Sequence, residues 1–426
     1  MLKRPLSFIL LAAWCQATLA VDPFYATVVV GENTGAVGFA TAEDAFNSLR
    51  THNLNSIVPY AGFEVVSANI NFRGLALQTG YPIESSPRLD LHIPALGISE
   101  TFIGHTRSDS LKMLKEYFKN SDKLSDIMKE LASKTPVDPI AGNPNSLQSR
   151  MVSNIYNHSF LSLVRRHSEE FFTEEQTASK TSLFLLAAIG DNAPPIDTSS
   201  LDTAKVPATS AGLQVARYRQ SDLTTIGVTI PLSYSFGAEP ERPFSLNGEL
   251  HYTNTEAADS YSFSIGTAYN FEANEGWYLI PAISYGLTTS EDLGSTGQMI
   301  SISLTSAALI YESDHSTLWL GNTVNHLRTL KTSNGDYSFD SKLRNVAFTN
   351  GLILSRSLSA LGPNFWIEYS IADTRYTGSD LYDEHYSEIG ISIARSRSSS
   401  SYFRGGLSYI NTTHSRGWVL SLHSAF

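Results

Sequence analysis

The sequence predicts an all-β transmembrane antiparallel barrel of about twelve strands over residues 210–426, preceded by an α+β region. Beyond residue 210, segments of about ten residues alternate between apolar and small or polar side chains, which is typical of transmembrane barrel strands. Charged residues are only 17% of the 426 residues, whereas the apolar fraction of 42% is ordinary. After residue 20 there is no apolar run of about eighteen residues, so a membrane-embedded chain would have to cross as a closed sheet.

The first twenty residues predict a secretory signal peptide. Lys3 and Arg4 form its positive part, residues 6–14 its apolar part, and residues 18–20 a site for cleavage after Ala20. The apolar part is too short for a transmembrane helix, which needs about 20 residues. Cleavage at this site would remove Cys15, the single cysteine, and with it any disulfide or thiolate chemistry.

Residues 21–209 predict a separate α+β region with a linker, either periplasmic or plug-like. Strands are expected at 25–31, 63–77 and 89–102, with Pro94 and Gly97 marking a break in the last one. Thr41 is the expected N-cap of a short helix, and helical spacing of apolar residues begins after residue 108. Asn145 or Ser146 is the expected cap of a helix that carries apolar residues, namely Leu147, Met151, Val152, Ile155 and Tyr156.

The second half of this region is less regular. Arg165, Arg166 and His167, followed by two glutamates, predict a solvated helix face. Residues 191–207, rich in proline, serine and threonine, predict a linker. The apolar segment 183–189 is ambiguous: it fits a buried strand of the first domain, a plug segment or a further barrel strand.

The barrel region divides into twelve predicted strands, an even number as expected for bacterial barrels. They cover approximately 211–219, 223–236, 244–254, 260–272, 277–287, 297–312, 315–326, 343–356, 363–376, 384–396, 400–411 and 416–426. Aromatic residues near the strand ends predict two girdles at the membrane surfaces: Tyr252, Phe271, Trp277, Tyr285, Trp319, Trp366, Tyr376, Tyr409 and Trp418.

The last strand sets the expected topology. Trp418, Leu420, Leu422 and Phe426 share one face of it, and the sequence ends on that aromatic residue. If Phe426 lies at the periplasmic side, the strands alternate back from there and the first strand enters from the same side. Residues 21–209 would then lie in the periplasm or fill the lumen from that side.

These features together resemble the autotransporter-type β-barrel, and more narrowly the solitary autotransporter-like barrels of the bacterial outer membrane. The resemblance covers residues 210–426 and depends on pattern. It implies that Trp418, Leu420, Leu422 and Phe426 form the signal that the barrel assembly machinery recognises. The implied location is the outer membrane of a Gram-negative cell.

Two loops resemble parts of outer-membrane enzymes. Ser333, with Asn345 twelve residues later, is similar to the serine loop of outer-membrane phospholipase A, but Lys331 stands where that family has its histidine base. A lysine on an exposed loop is protonated and cannot accept the serine proton. Asp383 and His385 resemble the Asp–His element of the omptin proteases, in which the carboxylate would polarise the histidine as a base for water.

The sequence favours a non-enzymatic outer-membrane protein with a structural, transport or surface-interaction role. The alternatives are a surface hydrolase using Asp383 and His385, or Ser333, and autotransporter-type secretion of the N-terminal region. No cofactor or metal site is expected, because the histidines are scattered over different strands. The expected partners are outer-membrane lipids and the assembly machinery. A net charge of −11 argues against nucleic acid, and the oligomeric state is open.

Overall fold

The computed structural model describes residues 24–39, 41, 44, 45, 48, 53–119, 121–168 and 209–425, apart from 221–222, 237–242, 256–257, 335–336, 363 and 399–400. These residues form a small α+β domain, a connecting segment and a closed barrel. The predicted signal peptide, the linker over 191–207 and the ambiguous segment 183–189 lie outside the described residues. Among the described helices, none is long and apolar enough to cross a membrane.

A six-stranded antiparallel sheet in the order β2-β1-β3-β4-β5-β6 forms the N-terminal domain. Its strands are β1 Phe24–Val30, β2 Asn33–Phe39, β3 Val66–Phe72, β4 Leu75–Tyr81, β5 Arg88–Ile93 and β6 Ile98–Ile103. The segment 63–77 predicted as one strand is a hairpin, because Arg73 and Gly74 have positive φ and turn the chain between β3 and β4. The break predicted from Pro94 and Gly97 separates β5 from β6.

Two helices, α1 (Arg107–Lys119) and α2 (Ser121–Lys134), pack on one face of this sheet. Apolar residues at helical spacing, including Ile127, Met128 and Leu131, join the alternating inward residues of the strands in one core. The predicted cap at Thr41 is present, since its hydroxyl accepts a hydrogen bond from the Asp44 backbone at 3.1 Å. The sheet and its helices therefore form one unit around a core of their own.

Twelve long antiparallel strands close into the barrel, which confirms the predicted fold class. In chain order the strands of this half are β7 Thr209–Gln220, β8 Leu223–Phe236, β9 Phe244–Thr255, β10 Ala258–Tyr269, β11 Phe271–Asn274, β12 Trp277–Ser290, β13 Ser295–Ser313, β14 Ser316–Leu330, β15 Thr332–Asn334, β16 Tyr337–Phe339, β17 Arg344–Ser357, β18 Phe365–Gly378, β19 His385–Ser398, β20 Ser401–Thr412 and β21 Ser415–Ala425. The short β11 pairs with β12, and β15 and β16 form a hairpin in the connection from β14 to β17. The predicted bounds of the twelve long strands agree with the observed ones to within four residues.

Pairing of β7 with β21, for example Gly212 with His423, closes the cylinder between its first and last strands. Around the wall, outward positions carry large apolar residues and inward positions carry small or neutral polar ones, as a membrane-embedded barrel with a polar interior requires. On β8, for instance, Ile226, Ile230 and Leu232 are exposed outward, whereas Thr225 and Thr229 are buried inward.

The barrel has two distinct ends, called here lower and upper. At the lower end β7 begins at Thr209 and β21 finishes at Ala425, which pairs with Ser210. At the upper end lie the connections that follow β12, β14 and β18, residues 291–294, 331–343 and 379–384. Aromatic pairs face outward at both ends, Phe244 with Tyr269 below and Tyr252 with Tyr261 above.

The N-terminal domain lies at the upper end, opposite to Ala425. Ser125 of α2 accepts a hydrogen bond from the Asp340 backbone, and Ala132 accepts one from the Tyr382 backbone. The expectation that residues 21–209 lie on the side of the C-terminal residue is therefore wrong for the described residues 24–134. Their position is decided by the direction in which the next segment passes through the lumen, which strand patterns do not encode.

Three of the predicted girdle aromatics are also corrected. Trp319, Trp366 and Tyr376 point into the barrel and are buried. Alternation within each strand assigns them to the inward face, because their neighbours Leu318, Ile367 and Arg375 point outward.

Candidate functional site

The main feature of the lumen is a chain segment, residues 135–168, that fills it. Ser146 caps the helix α3 (Leu147–Tyr156), its hydroxyl accepting from the Ser149 backbone at 3.4 Å. The helix continues into a π-helical turn over Asn157–Leu161 and further helical residues to Ser168. We call residues 135–168 the plug.

Contacts along the plug follow a single direction through the barrel. Near the upper end Gly142 accepts from the Asp383 backbone, and Leu147 packs against Gly286. Halfway down, Asn154 donates to Ser264 Oγ at 3.1 Å. Near the lower end Ser168 donates to Ser355 Oγ at 3.1 Å. The plug therefore passes once through the lumen, from upper to lower end.

Inward glycines on four adjacent strands provide the space for the plug. Gly286, Gly297, Gly321 and Gly351 lie on β12, β13, β14 and β17 respectively. A Cβ on Gly321 would lie 2.5 Å from the ring of Phe160, and one on Gly286 would lie 2.7 Å from Leu147. The wall is thus fitted closely to this helix.

We expect Gly321→Ala to destabilise the plugged state by about 1–3 kcal/mol, because overpacking forces Phe160 to move. The measurement is the midpoint of urea unfolding in detergent. Gly248→Ala is the matched control, since Gly248 faces outward on β9 and its Cβ would meet only Ser264 O at 3.7 Å. Equal losses from both variants would contradict the fitted wall.

A buried ion pair fastens the upper half of α3 to the wall. Arg150 Nε lies 2.9 Å from Glu249 Oε1, with side-chain exposures of 9% and 4%. The Arg150 guanidinium also donates to Gln214 Oε1 at 3.4 Å. At the preceding residue, Ser149 Oγ and the Tyr386 hydroxyl are 2.9 Å apart. Because charges are costly to bury unless paired, this arrangement specifies where α3 sits.

The lower lumen holds a second set of charges. Glu368 pairs with Arg404 of the wall and accepts from Trp366 Nε1 at 2.8 Å. His167 of the plug lies 2.8 Å from Glu312 and packs edge-on against Trp319 at 5.1 Å. The sequence predicted a solvated helix face at residues 165–167; in the structure these side chains are half-buried at the lower end of the barrel.

A cavity of about 80 Å³ separates one side of α3 from the wall. Its lining includes Arg150, Tyr156, Tyr218, Tyr376, Tyr386 and Glu388. It has room for a few water molecules and falls well short of the roughly 300–1,000 Å³ of a typical ligand site.

The mouth of the plug joins the domain to the barrel. Arg73, in the β3–β4 turn, lies 3.6 Å from Asp138, and both side chains are fully buried. Asp138 Oδ1 also accepts from the backbones of Ile140 and Ala141. Val137 packs nearby on Ala258 and Leu293 of the barrel.

Asp383 and His385 do not form the pair suggested by the sequence. Asp383 is buried and accepts from the His414 backbone at 2.8 Å and from Ser415 Oγ at 2.6 Å. Its own backbone donates to Gly142, so Asp383 holds the rim against the plug. The side chain of Ser333 lies outside the described residues, and Asn345 donates to the Ser379 carbonyl at 2.6 Å.

His385 lies on the outward face of β19 and contacts Asp373 of β18 through Nε2. Ser387 Oγ lies 3.4 Å from the same Nε2 and donates to Asp373 at 3.3 Å. A serine–histidine–carboxylate relay needs the serine and the carboxylate on different ring nitrogens. Because both contact Nε2 here, the group does not have the geometry of a relay.

The proposed assembly residues Trp418, Leu420 and Leu422 are outward and exposed, at 49%, 53% and 42%. They form part of the apolar outer surface. Phe426 lies outside the described residues. Recognition by assembly machinery remains a prediction.

The sequence did not predict that Arg150, Asn154 and His167 contact the barrel wall inside the lumen. Two signals were present. Polar residues interrupt the apolar side of the predicted helix, and glycines recur at inward positions of β12, β13, β14 and β17. Neither signal alone separates a luminal helix from the core helix of a soluble domain.

No protein-family model matches the chain, and no curated protein is similar to it. Among solved structures, the β domain of the Bordetella autotransporter BrkA has a TM-score of 0.40 and 14% identity, covering 52% of this chain and 100% of that one. The translocator domain of the autotransporter NalP from Neisseria meningitidis has a TM-score of 0.39 and 13% sequence identity, and the match covers 51% of this chain and 87% of that one. The NanC porin has a TM-score of 0.36 and 8% sequence identity, and the match covers 51% of this chain and 98% of that one. The C-terminal half is similar in fold to these barrels.

Proposed function

We propose that this protein is an outer-membrane anchor that displays its N-terminal domain at the cell surface, with the plug as the connection through the barrel. The observation that carries the proposal is the single passage of residues 135–168 through the lumen. One end of that passage meets the domain at the upper end, and the other leads toward the lower end, where β7 begins.

The proposed orientation follows from the end at which the chain enters and leaves the barrel wall. The first residue of β7 and the last residue of β21 both lie at the lower end. If that end faces the periplasm, as the resemblance to autotransporter-type barrels implies, the upper end faces outward. The domain, which packs on the upper connections, is then outside the cell.

Several features support anchoring over the alternative roles. The plug is held by the buried pair Arg150–Glu249 and by close packing against inward glycines, so it fills the space that a transported solute would need. The shared use of His385 Nε2 by Ser387 and Asp373 does not favour a hydrolase. Among the described residues of the domain, no helix packs on one broad face of the sheet, where Asn69 and Gln78 are exposed as a surface for interaction.

Site-specific labelling tests the orientation. Asn69→Cys places a thiol on the exposed sheet face, and Asp314→Cys places one on the exposed turn between β13 and β14 at the lower end. In intact cells, a maleimide on a polymer too large to cross the membrane should label the first variant and spare the second.

Permeabilised cells are the control and should show labelling of both variants. Labelling of Asp314→Cys but not Asn69→Cys in intact cells would reverse the orientation and remove surface display. Because removal of the predicted signal peptide leaves no native cysteine, the unsubstituted protein should give no signal.

A further inference from the structure

Five arginines form a belt on the outer surface near the upper end of the barrel. The upper arginine belt consists of Arg219, Arg328, Arg344, Arg375 and Arg416. Each lies within three residues of the upper end of its strand. Strand alternation directs them outward, because their neighbours Gln220, Leu327, Asn345, Tyr376 and Ser415 are buried inward.

Two pairs within the belt place like charges directly opposite each other. Arg328 of β14 is the register partner of Arg344 of β17, and Arg219 of β7 is the partner of Arg416 of β21. Cross-strand partners have Cβ atoms about 4.5–5.5 Å apart, and like charges at that distance are destabilising. Such pairs are stable where an anion lies between them.

Within the described part of the chain, no carboxylate lies within 4.0 Å of these four guanidinium groups. Arg375, the fifth member, is paired with Asp373 at 3.0 Å. The buried arginines Arg150 and Arg404 each have a glutamate. Arg356 and Arg395 at the lower end are also exposed and have no carboxylate within 4.0 Å among the described residues, but they lie on strands that are not neighbours. What distinguishes the belt is that its unpaired arginines face each other across two strand pairs.

The surface beneath the belt is apolar. Val324 and Phe348, themselves register partners, lie four residues below Arg328 and Arg344 on the same outward face. Trp418 follows Arg416 on the outward face of β21 and is exposed. A guanidinium pair above an apolar wall matches a lipid whose headgroup is anionic and whose acyl chains lie along the barrel.

The belt arginines fall into two groups. One lies on the adjacent strands β14, β17 and β18 and the other on β21 and β7, with β19 and β20 between them. The corresponding outward positions of β8 to β13 carry residues such as Thr224, Asn254 and Gln298. Each opposed arginine pair is therefore a separate, local binding surface.

We propose that the upper arginine belt binds the phosphate groups of a phosphorylated glycolipid in the adjacent leaflet, with one phosphate between Arg328 and Arg344 and another between Arg219 and Arg416. Arginine is suited to this because its guanidinium donates two parallel hydrogen bonds to one phosphate. This proposal rests on the proposed function in one respect only: the orientation of the barrel decides which leaflet supplies the lipid.

The experiment uses the full chain, delipidated in neutral detergent, and lipid A carrying two phosphates as the probe. The variants are Arg328→Gln/Arg344→Gln and Arg219→Gln/Arg416→Gln. The matched control is Arg356→Gln/Arg395→Gln, which removes two outward arginines at the lower end. Each belt variant should bind the lipid about tenfold more weakly or worse, and the control should bind like the native protein.

Three outcomes would overturn the proposal: undiminished binding of the lipid after its phosphates are removed, an equal loss in the control, or inorganic phosphate binding as tightly as the lipid. Thermal unfolding supplies a second readout. Without lipid the belt variants should be no less stable than the native protein, since they relieve repulsion, and added lipid should stabilise only the native protein and the control. Binding in detergent is independent of cell orientation, so it can succeed even if the labelling of Asn69→Cys and Asp314→Cys rejects surface display.

Discussion

A chain lacking residues 24–168 is expected to conduct ions through a wide pore, whereas the full chain should conduct poorly. The reason is that the plug occupies the lumen along its length, from Gly142 at the upper rim to Ser168 near the lower end. Its removal leaves a lumen that water can fill, lined by many serine, threonine and asparagine side chains and by inward glycines. Single-channel recording of both purified chains in planar bilayers is the measurement.

A shorter deletion, of residues 24–134, is the matched control. It removes the domain and keeps the plug with Arg150 and its partner Glu249, so conductance should stay low. Heat-dependent mobility on gels verifies that each chain forms a barrel. If the shorter deletion opens the pore as fully as the longer one, the domain and not the plug is the barrier.

The second large effect is expected from Arg150→Met. This change leaves Glu249, only 4% exposed, without its counter-charge inside the barrel. Breaking a buried ion pair from one side costs about 3–5 kcal/mol, because the remaining charge is buried and uncompensated. The measurement is the free energy of unfolding in detergent, from urea titration, for the native chain and the variant.

Two comparisons test that reason. Arg150→Met/Glu249→Leu removes both charges and should recover most of the loss, because an apolar pair of similar volume replaces a buried ion pair at little cost. Arg88→Met breaks the more exposed pair with Asp90, at 42% and 37% exposure, and should cost at most about 1 kcal/mol. A double variant as unstable as Arg150→Met alone would show that packing and not charge explains the loss.

The individual barrel strands could be predicted because the alternation of outward and inward residues is a local property of each segment. In each strand the outer solvent is lipid and the inner surroundings are polar, so alternation such as Ile226, Val228 and Ile230 against Thr225, Gly227 and Thr229 repeats at a period of two. Turn residues between segments then separate one strand from the next. The cap of the plug helix was predicted as Asn145 or Ser146 from the position before an apolar helical run, and the structure assigns it to Ser146.

The candidate site was less predictable because its residues come from distant parts of the chain. Arg150 and Glu249 are 99 positions apart, and neither belongs to a motif. Asp383 and His385 were singled out by their spacing of two, but the fold turns Asp383 toward Ser415 and His385 toward Asp373. Proximity in sequence was a poor guide there, because Asp383 lies in the connection before β19, whereas His385 is the first residue of that strand.

By itself, the sequence predicted the class of fold, twelve barrel strands with bounds within four residues of the observed ones, and the outward face of most strands, although it misplaced Trp319, Trp366 and Tyr376. These follow from solvation of each segment by its immediate surroundings. The tertiary structure decided that residues 135–168 fill the lumen and that the N-terminal domain lies at the upper end. Both depend on the direction of a helix inside a closed wall, which is set by contacts such as Arg150–Glu249 and Phe160 against Gly321. A helical pattern has the same period whichever way the helix passes through the barrel.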